Sequence, residues 1–461
     1  MLKIFNTFTA KKEILKSPRR GYLKLFVCGP TVYDYSHIGH ARTYIAFDII
    51  VKYLRSQKRK VFYLQNITDI DDKIINRAKE KKISWKKLGR GFEKEYLKDM
   101  KAIEITSVTK YAKATAHIKE VINQVKKLME KGFAYEISDG VYYEISKFKN
   151  YGKLSRRTAL QAEDAVSRID DTKEKRNKGD FCLWKLSKSD EPKWKSPFGD
   201  GRPGWHIEDT AISEKYFGPQ YDLHGGAVDL KFPHHESEIA QQEAASGKKP
   251  FVKIWLHTGF LLVNGEKMSK SLGNFITIKD FLKKYPAEIL RFIILSHHYR
   301  SPVNYNETLA NNAVKSIETI REFLEKLELV LKAKQKTSSI KINIKNYNKL
   351  FNQAMDDDFN TPKALAVVFD LIASLQNKIW RINPAQVKVV NRFINEKLDI
   401  FGIKIKPVKI PQKIRSLANQ REKLRINKQF IPSDRLRKEI ESLGYKVEDT
   451  SYGPKITATR Y

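Results

Sequence analysis

Two histidines separated by two residues open a candidate helix near the N-terminus. They lie in the run His37-Ile-Gly-His40, after a predicted strand and its turn. Imidazole nitrogens at a helix N-terminus donate hydrogen bonds to phosphate, assisted by free backbone N–H groups and the helix dipole. Gly39 has no side chain and lets a flat ligand approach the backbone. The run indicates a phosphate or nucleotide site, although capping or core histidines produce the same pattern.

A second candidate is a loop with two lysines, much further along the chain. It reads Lys267-Met-Ser-Lys-Ser271 and is followed by Leu-Gly-Asn274. Lysine ammonium groups on such a loop can neutralise charge that develops on a polyphosphate during transfer. Taken alone, the loop is better explained as a solvated turn.

A βαβ unit is predicted to position the histidine motif. Residues 23–28 form a short apolar run that ends at a Gly-Pro turn, which indicates a buried strand. Residues 41–54 carry apolar side chains at helical spacing, and residues 60–66 are typical of a second strand. Ligands of such units bind beyond the carboxyl ends of the strands. We therefore expect Cys28 and residues 66–69 at one edge of a parallel sheet.

The remaining segments differ in composition, and the predicted fold class is α/β. Residues 115–203 are mixed and polar and are expected to be a connective insertion. Sheet-like residues return in the segment after this insertion, whereas the pattern from residue 309 onward is helical only. The predicted halves of a Rossmann-like parallel-sheet catalytic domain are residues 1–114 and 204–260, with the insertion at 115–203 between them. Residues 261–308 carry the loop with the two lysines. A helical bundle is predicted for residues 309–400 and a small basic C-terminal domain for residues 401–461.

Composition narrows the class of protein. The 461 residues carry a formal net charge of +34, which favours a polyanionic partner such as nucleic acid, unless lysine is merely a common surface residue here. Residues 401–461 hold 15 Lys+Arg against 6 Asp+Glu. No apolar run of about 18 residues predicts a membrane span, and the N-terminus lacks a signal-peptide core, so the cytoplasm is expected. Two cysteines cannot form a disulfide framework.

Together, the two motifs resemble the paired signatures of class I aminoacyl-tRNA synthetases. Further runs resemble the cysteinyl-tRNA synthetase family from about residue 3 to residue 455. These runs are Cys28-Gly-Pro-Thr-Val-Tyr-Asp34, Asn66-Ile-Thr-Asp-Ile-Asp-Asp-Lys73, Gly201-Arg-Pro-Gly-Trp-His-Ile-Glu208, His224-Gly-Gly226, Phe232-Pro-His-His-Glu236 and, in the helical part, Met355-Asp-Asp-Asp-Phe-Asn-Thr-Pro362.

This resemblance implies an activity and its partners. The expected enzyme activates L-cysteine with ATP and Mg²⁺ to cysteinyl-adenylate, then transfers the cysteinyl group to the terminal adenosine of tRNA-Cys. It further implies that residues 261–308 contact the tRNA stem, that residues 309–400 bind the anticodon, and that the protein is a monomer.

The resemblance also implies roles for individual residues. In that family two Cys, a His and a Glu bind a zinc ion, which takes the substrate thiolate. Three of these ligands match Cys28, His234 and Glu238. Zn²⁺ prefers a soft thiolate to a hydroxyl and would separate cysteine from serine better than a hydrophobic pocket does. The other implied contacts are ATP at Thr31, His37, Gly39, His40, Lys267, Ser269 and Lys270, with His37, His40, Lys267 and Lys270 as the catalytic groups, and cysteine at Gly29, Thr68, Trp205 and Asp229.

Position 209 departs from the family pattern, because Asp209 stands where the family has the second cysteine. Three interpretations remain open. Asp209 is a carboxylate zinc ligand, with the same −1 charge as a thiolate; or the metal is lost or changed and Asp209 binds the substrate amine; or Asp209 is a solvated acid. Cys182, in Phe181-Cys-Leu-Trp184, is predicted to be a small core residue rather than a replacement ligand.

Two other functions remain open at this point. One is an adenylate-forming ligase that joins cysteine to a small-molecule amine, although the relative with that activity lacks the anticodon-binding part. The other is a non-catalytic tRNA-binding paralogue, which would be free to lose the signatures that this chain retains.

Overall fold

The computed structural model describes residues 1–16, 18, 20–157, 172–269, 272–333, 340–405 and 409–458. The chain folds into two compact units. The first contains residues Met1–Asn306 and Met355–Thr361, and the second contains Glu307–Ala354 and Pro362–Tyr461.

The first unit alternates strands and helices. Its strands are β1 (Lys3–Asn6), β2 (Lys11–Ile14), β3 (Leu23–Val27), β4 (Val61–Ile67), β5 (Lys110–Lys113), β6 (Ala134–Ile137), β7 (Gly140–Tyr143), β8 (Phe181–Leu186), β9 (Gly201–Pro203), β10 (Tyr221–Ala227), β11 (Val252–Thr258), β12 (Leu261–Val263), β13 (Glu266–Lys267) and β14 (Val303–Tyr305). Its helices are α1 (Ile38–Ser56), α2 (Asp72–Glu80), α3 (Trp85–Ala102), α4 (Ile118–Glu130), α5 (Ile207–Phe217), α6 (His234–Ser246), α7 (Ile278–Lys284) and α8 (Ala287–Leu295).

A parallel five-stranded sheet forms the centre of this unit, in the order β11-β10-β3-β4-β5. Strand β3 is apolar and buried along almost its whole length, as expected for a parallel strand covered on both faces. The predicted strand–helix–strand unit is confirmed, since β3 and β4 pair in parallel and α1 connects them.

The chain between two strands of the central sheet forms a second, antiparallel sheet. It has the order β6-β7-β8-β9 and lies between β5 and β10 in the chain. Phe26 of β3 and Trp255 of β11 belong to the same buried cluster as Trp184 of β8 and Ile207 of α5. The inserted segment therefore shares a core with the central sheet. Cys182 of β8 packs instead with Tyr135, Tyr142 and Ile137, which confirms its prediction as a core residue.

The second unit is mainly helical. Its elements are α9 (Glu307–Ala333), α10 (Ile344–Asp356), α11 (Thr361–Gln376), α12 (Pro384–Phe401), α13 (Gln412–Ile426), α14 (Phe430–Ser442), β15 (Tyr445–Thr450) and β16 (Gly453–Ala458).

Two expectations about the C-terminal part are wrong. Strands β15 and β16 form an antiparallel hairpin, where a purely helical pattern was expected. Residues 355–361, expected in the helical bundle, belong to the first unit. The physical reason is the buried Asp358, which accepts hydrogen bonds from the Phe5 backbone N–H, the Tyr299 hydroxyl and Arg300.

Candidate functional site

Four side chains of metal-binding type converge at the carboxyl ends of the central strands. Cys28 directly follows β3, and Asp209 lies in the first turn of α5. His234 and Glu238 are one turn apart on α6 and therefore project from the same face of that helix. All four are buried, and their ligand atoms lie within 4.8 Å of one another. The structure thus brings Cys28, His234 and Glu238, the three ligands implied by the resemblance, together with Asp209, whose role as a ligand was one of three open interpretations.

Two further histidines extend this cluster. His235 Nε2 lies 3.1 Å from Cys28 Sγ, and His224 Nε2 lies 3.4 Å from the same sulfur. With Cys28 and Glu238 they make a second group that meets the same 4.8 Å spacing. The two groups share the thiol and the glutamate and differ in the remaining pair of ligands.

The histidines of both groups have their second ring nitrogen engaged by an outer residue. Burial also lowers the pKa of His224 and His235 well below its usual value, so both are neutral at pH 7, the form that binds metals. The outer contacts are His206 Nδ1 to His234 Nδ1 (2.8 Å), the Tyr221 hydroxyl to His224 Nδ1 (2.6 Å) and His257 Nε2 to His235 Nδ1 (2.8 Å). Such outer partners orient an imidazole toward a metal.

The carboxylate of Asp209 points into the cluster. The side chain is only 1% exposed, so the interpretation as a solvated acid is wrong. Its Oδ2 atom lies 3.1 Å from His234 Nε2, and its Oδ1 atom accepts a hydrogen bond from Asn66 Nδ2. Its interpretations as a metal ligand or as a partner of the substrate amine both remain compatible with this position.

The cluster is rich in buried groups that become anionic. Burial, followed by the nearby Asp209 and Glu238 carboxylates, raises the pKa of the Cys28 thiol well above its usual value. Burial and Asp209 likewise raise the pKa of Glu238, whose Oε2 atom lies 3.6 Å from His224 Nδ1 and accepts no hydrogen bond from the residues that the structure describes. Among the described residues, no Lys or Arg forms an ion pair with these acids. A divalent cation fits this site, because it would neutralise the acids and bind the carboxylate oxygen that accepts no hydrogen bond.

The expected cysteine contacts are only partly assembled. Trp205 stacks on the ring of His234 with centroids 4.5 Å apart. Thr68 donates its hydroxyl hydrogen to Glu208 Oε1 at 2.7 Å. Asp229 lies exposed on a short turn after β10, and no contact in the described part of the chain joins it to Trp205 or Thr68.

Gly29 and Thr31 lie where β3 and β4 end. A Cβ atom on Gly29 would lie 1.7 Å from the carbonyl oxygen of Asn66, so only glycine fits there. Thr31 makes an isolated parallel bridge with Thr68, and the Thr68 N–H donates to the Pro30 carbonyl. These contacts join the loops after the two strands directly beside Cys28.

The two predicted nucleotide-binding histidines form the N-terminal cap of α1. His37 Nδ1 accepts from the Gly39 N–H at 3.1 Å, and His40 Nδ1 accepts from the His37 N–H at 3.3 Å. The two rings stack with centroids 3.9 Å apart. Burial lowers the pKa of His37 to about 4 and that of His40 well below its usual value. At pH 7 both rings are neutral and act through hydrogen bonds rather than charge.

The lysine loop approaches this cap. A Cβ atom on Gly39 would lie 2.9 Å from Met268 Cε, so the loop and the helix start are in close contact. Lys267 is exposed, with its Nζ 4.3 Å from the Phe260 ring centroid, and Ser269 donates its backbone N–H to Asn274 Oδ1. Lys270 lies outside the described residues.

Sequence reasoning gave no individual role to several residues around the metal-type cluster. Five of the ten histidines of the chain lie in or against it. His224 and His235 had appeared only as parts of longer runs that resemble the family, and those runs were the available signal for them. The residues that were missed are Asn66, His206, Glu208, Tyr221, His224, His235 and His257.

Comparison with known proteins identifies the class first. Residues 14–315 match the description "tRNA synthetases class I (C) catalytic domain", and residues 350–406 match "DALR domain". The fold is similar to that of Mycobacterium tuberculosis methionyl-tRNA synthetase in complex with methionyl-adenylate, with a TM-score of 0.63, 14% identity and coverage of 83% of this chain and 90% of that chain. The protein is thus a class I aminoacyl-tRNA synthetase by fold and domain content.

Full-length relatives define the family more narrowly. The chain is 43% identical to the cysteine–tRNA ligase of Thermococcus onnurineus, with 98% of both chains covered. It is 44% identical to those of Methanococcus maripaludis strain C7 and Pyrococcus horikoshii, with 97% of each chain covered. The chain therefore belongs to the cysteine–tRNA ligase family.

Among the residues that the structure describes, no helix is both long enough and apolar enough to cross a membrane.

Proposed function

We propose that this protein ligates cysteine to tRNA-Cys at the expense of ATP. The observation that carries the proposal is the position of the buried ligand cluster. It lies at the carboxyl ends of the strands whose following loops lead into the histidine motif, in a chain similar along nearly its whole length to cysteine–tRNA ligases. One sheet edge thus presents a cluster of metal-binding side chains beside a nucleotide motif.

The amino-acid end of the site is the ligand cluster. Zn²⁺ held by Cys28, Asp209, His234 and Glu238 would supply a Lewis acid that favours the thiolate of cysteine over the hydroxyl of serine. Trp205 stacks on the buried ring of His234 and helps to exclude water from the pocket. In this proposal Gly29, Thr68 and Asp229 complete the pocket, with Asp229 facing the substrate ammonium group.

The reaction of cysteine with ATP takes place at the nucleotide-binding end of the site. The cysteine carboxylate attacks the α-phosphate of ATP, the bond from the α-phosphorus to the bridging oxygen breaks, and pyrophosphate leaves with Mg²⁺. The neutral His37 and His40 rings hydrogen-bond the phosphates at the start of α1, while Thr31, Gly39 and Ser269 shape the nucleotide site. Lys267 and Lys270 stabilise the charge that develops on the leaving phosphates.

The tRNA substrate requires a second binding surface. The helical part of the second unit, with its DALR domain, is proposed to bind the anticodon. In the C-terminal segment the guanidinium of Arg421 is buried and paired with Asp449, so Arg421 is not proposed as a phosphate contact. Lys423 and Lys428 remain exposed. A monomer in the cytoplasm is the proposed working state.

The test is cysteine-dependent exchange of pyrophosphate into ATP, followed by transfer of labelled cysteine to tRNA-Cys. Lys267→Ala and Lys270→Ala should each lower the exchange rate about 100-fold, with cysteine binding retained, because they act on charge in the transition state. The matched control is Lys126→Ala, which removes an exposed lysine of α4.

The same assays decide between the rivals. Exchange without transfer to tRNA, but with transfer to an amino sugar, would establish the small-molecule ligase. The absence of exchange in zinc-supplied protein would instead favour a non-catalytic tRNA-binding paralogue. The DALR domain disfavours the first rival, and the described signature residues disfavour the second.

A further inference from the structure

The two oxygens of Asp209 have different environments. Oδ2 lies 3.1 Å from His234 Nε2, inside the group of ligand atoms. Oδ1 accepts a hydrogen bond from the side-chain amide of Asn66, which is 2% exposed. The carboxylate therefore offers one oxygen to the cluster and uses the other within the protein.

The orientation of the Asn66 amide is determined by its neighbours. Its Oδ1 atom accepts from the backbone N–H of Gly29, a group that can only donate. A flipped amide would set two donors against each other at Gly29 and two acceptors against each other at Asp209. The Nδ2 donor is consequently held toward the carboxylate, and Thr68 Oγ1, 3.4 Å away, offers it a second acceptor.

An aspartate needs such a partner, whereas a cysteine does not. A thiolate presents a single atom to a metal, while a carboxylate brings a second oxygen that must be satisfied once it is buried. A buried unsatisfied oxygen of this kind costs about 1–3 kcal/mol, and more when it is charged. Asn66, at the end of β4, supplies the required donor, and its neighbour Gly29 directly follows Cys28.

We propose that Asn66 is a positioning residue that holds Asp209 as a single-oxygen ligand of the metal, and so allows an aspartate to serve where the family has cysteine. This inference rests on the metal site of the proposed function. Asn66 affects zinc affinity through its hydrogen bond to Oδ1 of Asp209, the carboxylate oxygen that does not face the metal. That effect should disappear when residue 209 has no such oxygen.

The test is a double-mutant cycle on zinc affinity, measured by competition with a chromophoric chelator. Asn66→Ala in the native chain should weaken zinc binding about 10- to 100-fold, as is usual for outer-shell partners. In the Asp209→Cys background, the same substitution should change the affinity less than about 3-fold. The absorption bands of Co²⁺-loaded protein should shift for Asn66→Ala only when Asp209 is present.

A second variant allows for a folding defect. Asn66→Leu is close to asparagine in volume and fills the space that Ala would leave empty, but it offers no donor to Asp209, so it should weaken zinc binding in the same background-dependent way. Tyr63→Phe, which removes a buried hydroxyl from the same strand without touching Asn66 or the ligand cluster, should keep the affinity within about 3-fold and serves as the control.

The outcomes separate this inference from the proposed function. Zinc bound equally well by native protein and both Asn66 variants overturns the inference alone. An equal loss of affinity in both backgrounds also overturns it, because the effect then does not pass through Asp209. No zinc binding by native protein overturns the metal site of the proposed function and this inference with it.

Discussion

Asp209 and His234 distinguish the two ligand groups that share Cys28 and Glu238. His234 belongs to the group that contains Asp209, whereas His224 belongs only to the alternative group. Variants of the shared residues would abolish binding in either group and are uninformative. The histidines therefore identify which group holds the ion.

We predict that His234→Ala lowers zinc affinity far more than His224→Ala. The His234→Ala substitution would remove a direct ligand of the metal, whereas His224→Ala would remove only an outer contact to Cys28 Sγ. Outer contacts usually change metal affinity about 10- to 100-fold, and loss of a direct ligand should exceed that range. The measurement is zinc content and competition affinity of the purified variants. The reverse ranking would place the ion in the group that contains His224 and His235.

Much of this site could be predicted at the residue scale, but only through long motifs. Cys28, His234 and Glu238 came from the resemblance and from the helical spacing of the last two, whereas Asp209 departs from the family pattern and its role stayed open. The burial of Asp209 could not be predicted, since an acid in the first turn of a helix is ordinarily solvated and favourable there. The contact with Asn66 depends on how α5 packs against the end of β4, which no local pattern specifies.

At the scale of single elements, the start of α1 makes the fold sensitive to acid. Burial holds the pKa of His37 at about 4, below its value of about 6.5 in an unfolded chain. Between these values the unfolded state binds more protons, so stability rises with pH. The contribution is complete above pH 6.5 and is lost as the pH falls toward 4.

We predict that His37→Asn removes part of this acid sensitivity. Asparagine keeps an acceptor for the helix cap but does not titrate. Between pH 7 and pH 5, the native protein should lose about 2 kcal/mol more of its unfolding free energy than the variant. Urea unfolding at the two pH values measures the difference. Parallel pH dependences would show that the ring of His37 is not held neutral by burial.

Local sequence signals, such as apolar runs and capping residues, identified those strands and helices whose tertiary packing agrees with them. Strand β3 was evident from its apolar run, and α12 lies in the segment that was expected to be helical, where its sequence carries local end signals, Asn383 before Pro384 and Gly402 after its last residue. In the structure Asn383 caps Gln386 N–H, and Gly402 adopts a left-handed conformation with φ of 64°. The hairpin β15–β16 escaped prediction, because its strands alternate few apolar residues and only Val447 is well buried along β15.

At the scale of the whole molecule, the sequence order of segments conceals how the first unit is assembled. The central sheet draws β3–β5 and β10–β11 from either side of the inserted sheet. The shared buried cluster could not be predicted, since it joins residues distant in sequence, such as Phe26 and Trp255. The net charge of +34 follows directly from the sequence, but the sequence does not show which Lys and Arg side chains form ion pairs within the protein.

The exposed lysines of the C-terminal segment allow a test of that charge. Lys413, Lys423 and Lys428 are exposed and make no ion pair among the residues that the structure describes. If they contact tRNA phosphates, each neutralised phosphate contributes about 0.7–0.9 to the slope of log affinity against log salt. Replacing all three with Gln should therefore reduce the magnitude of the slope by about 2–3, measured by filter binding over a salt series. Cysteine-dependent pyrophosphate exchange, which involves no tRNA, should stay at the native rate. An unchanged slope would mean that this segment does not contact tRNA through these lysines, and that the excess charge serves another part of the surface.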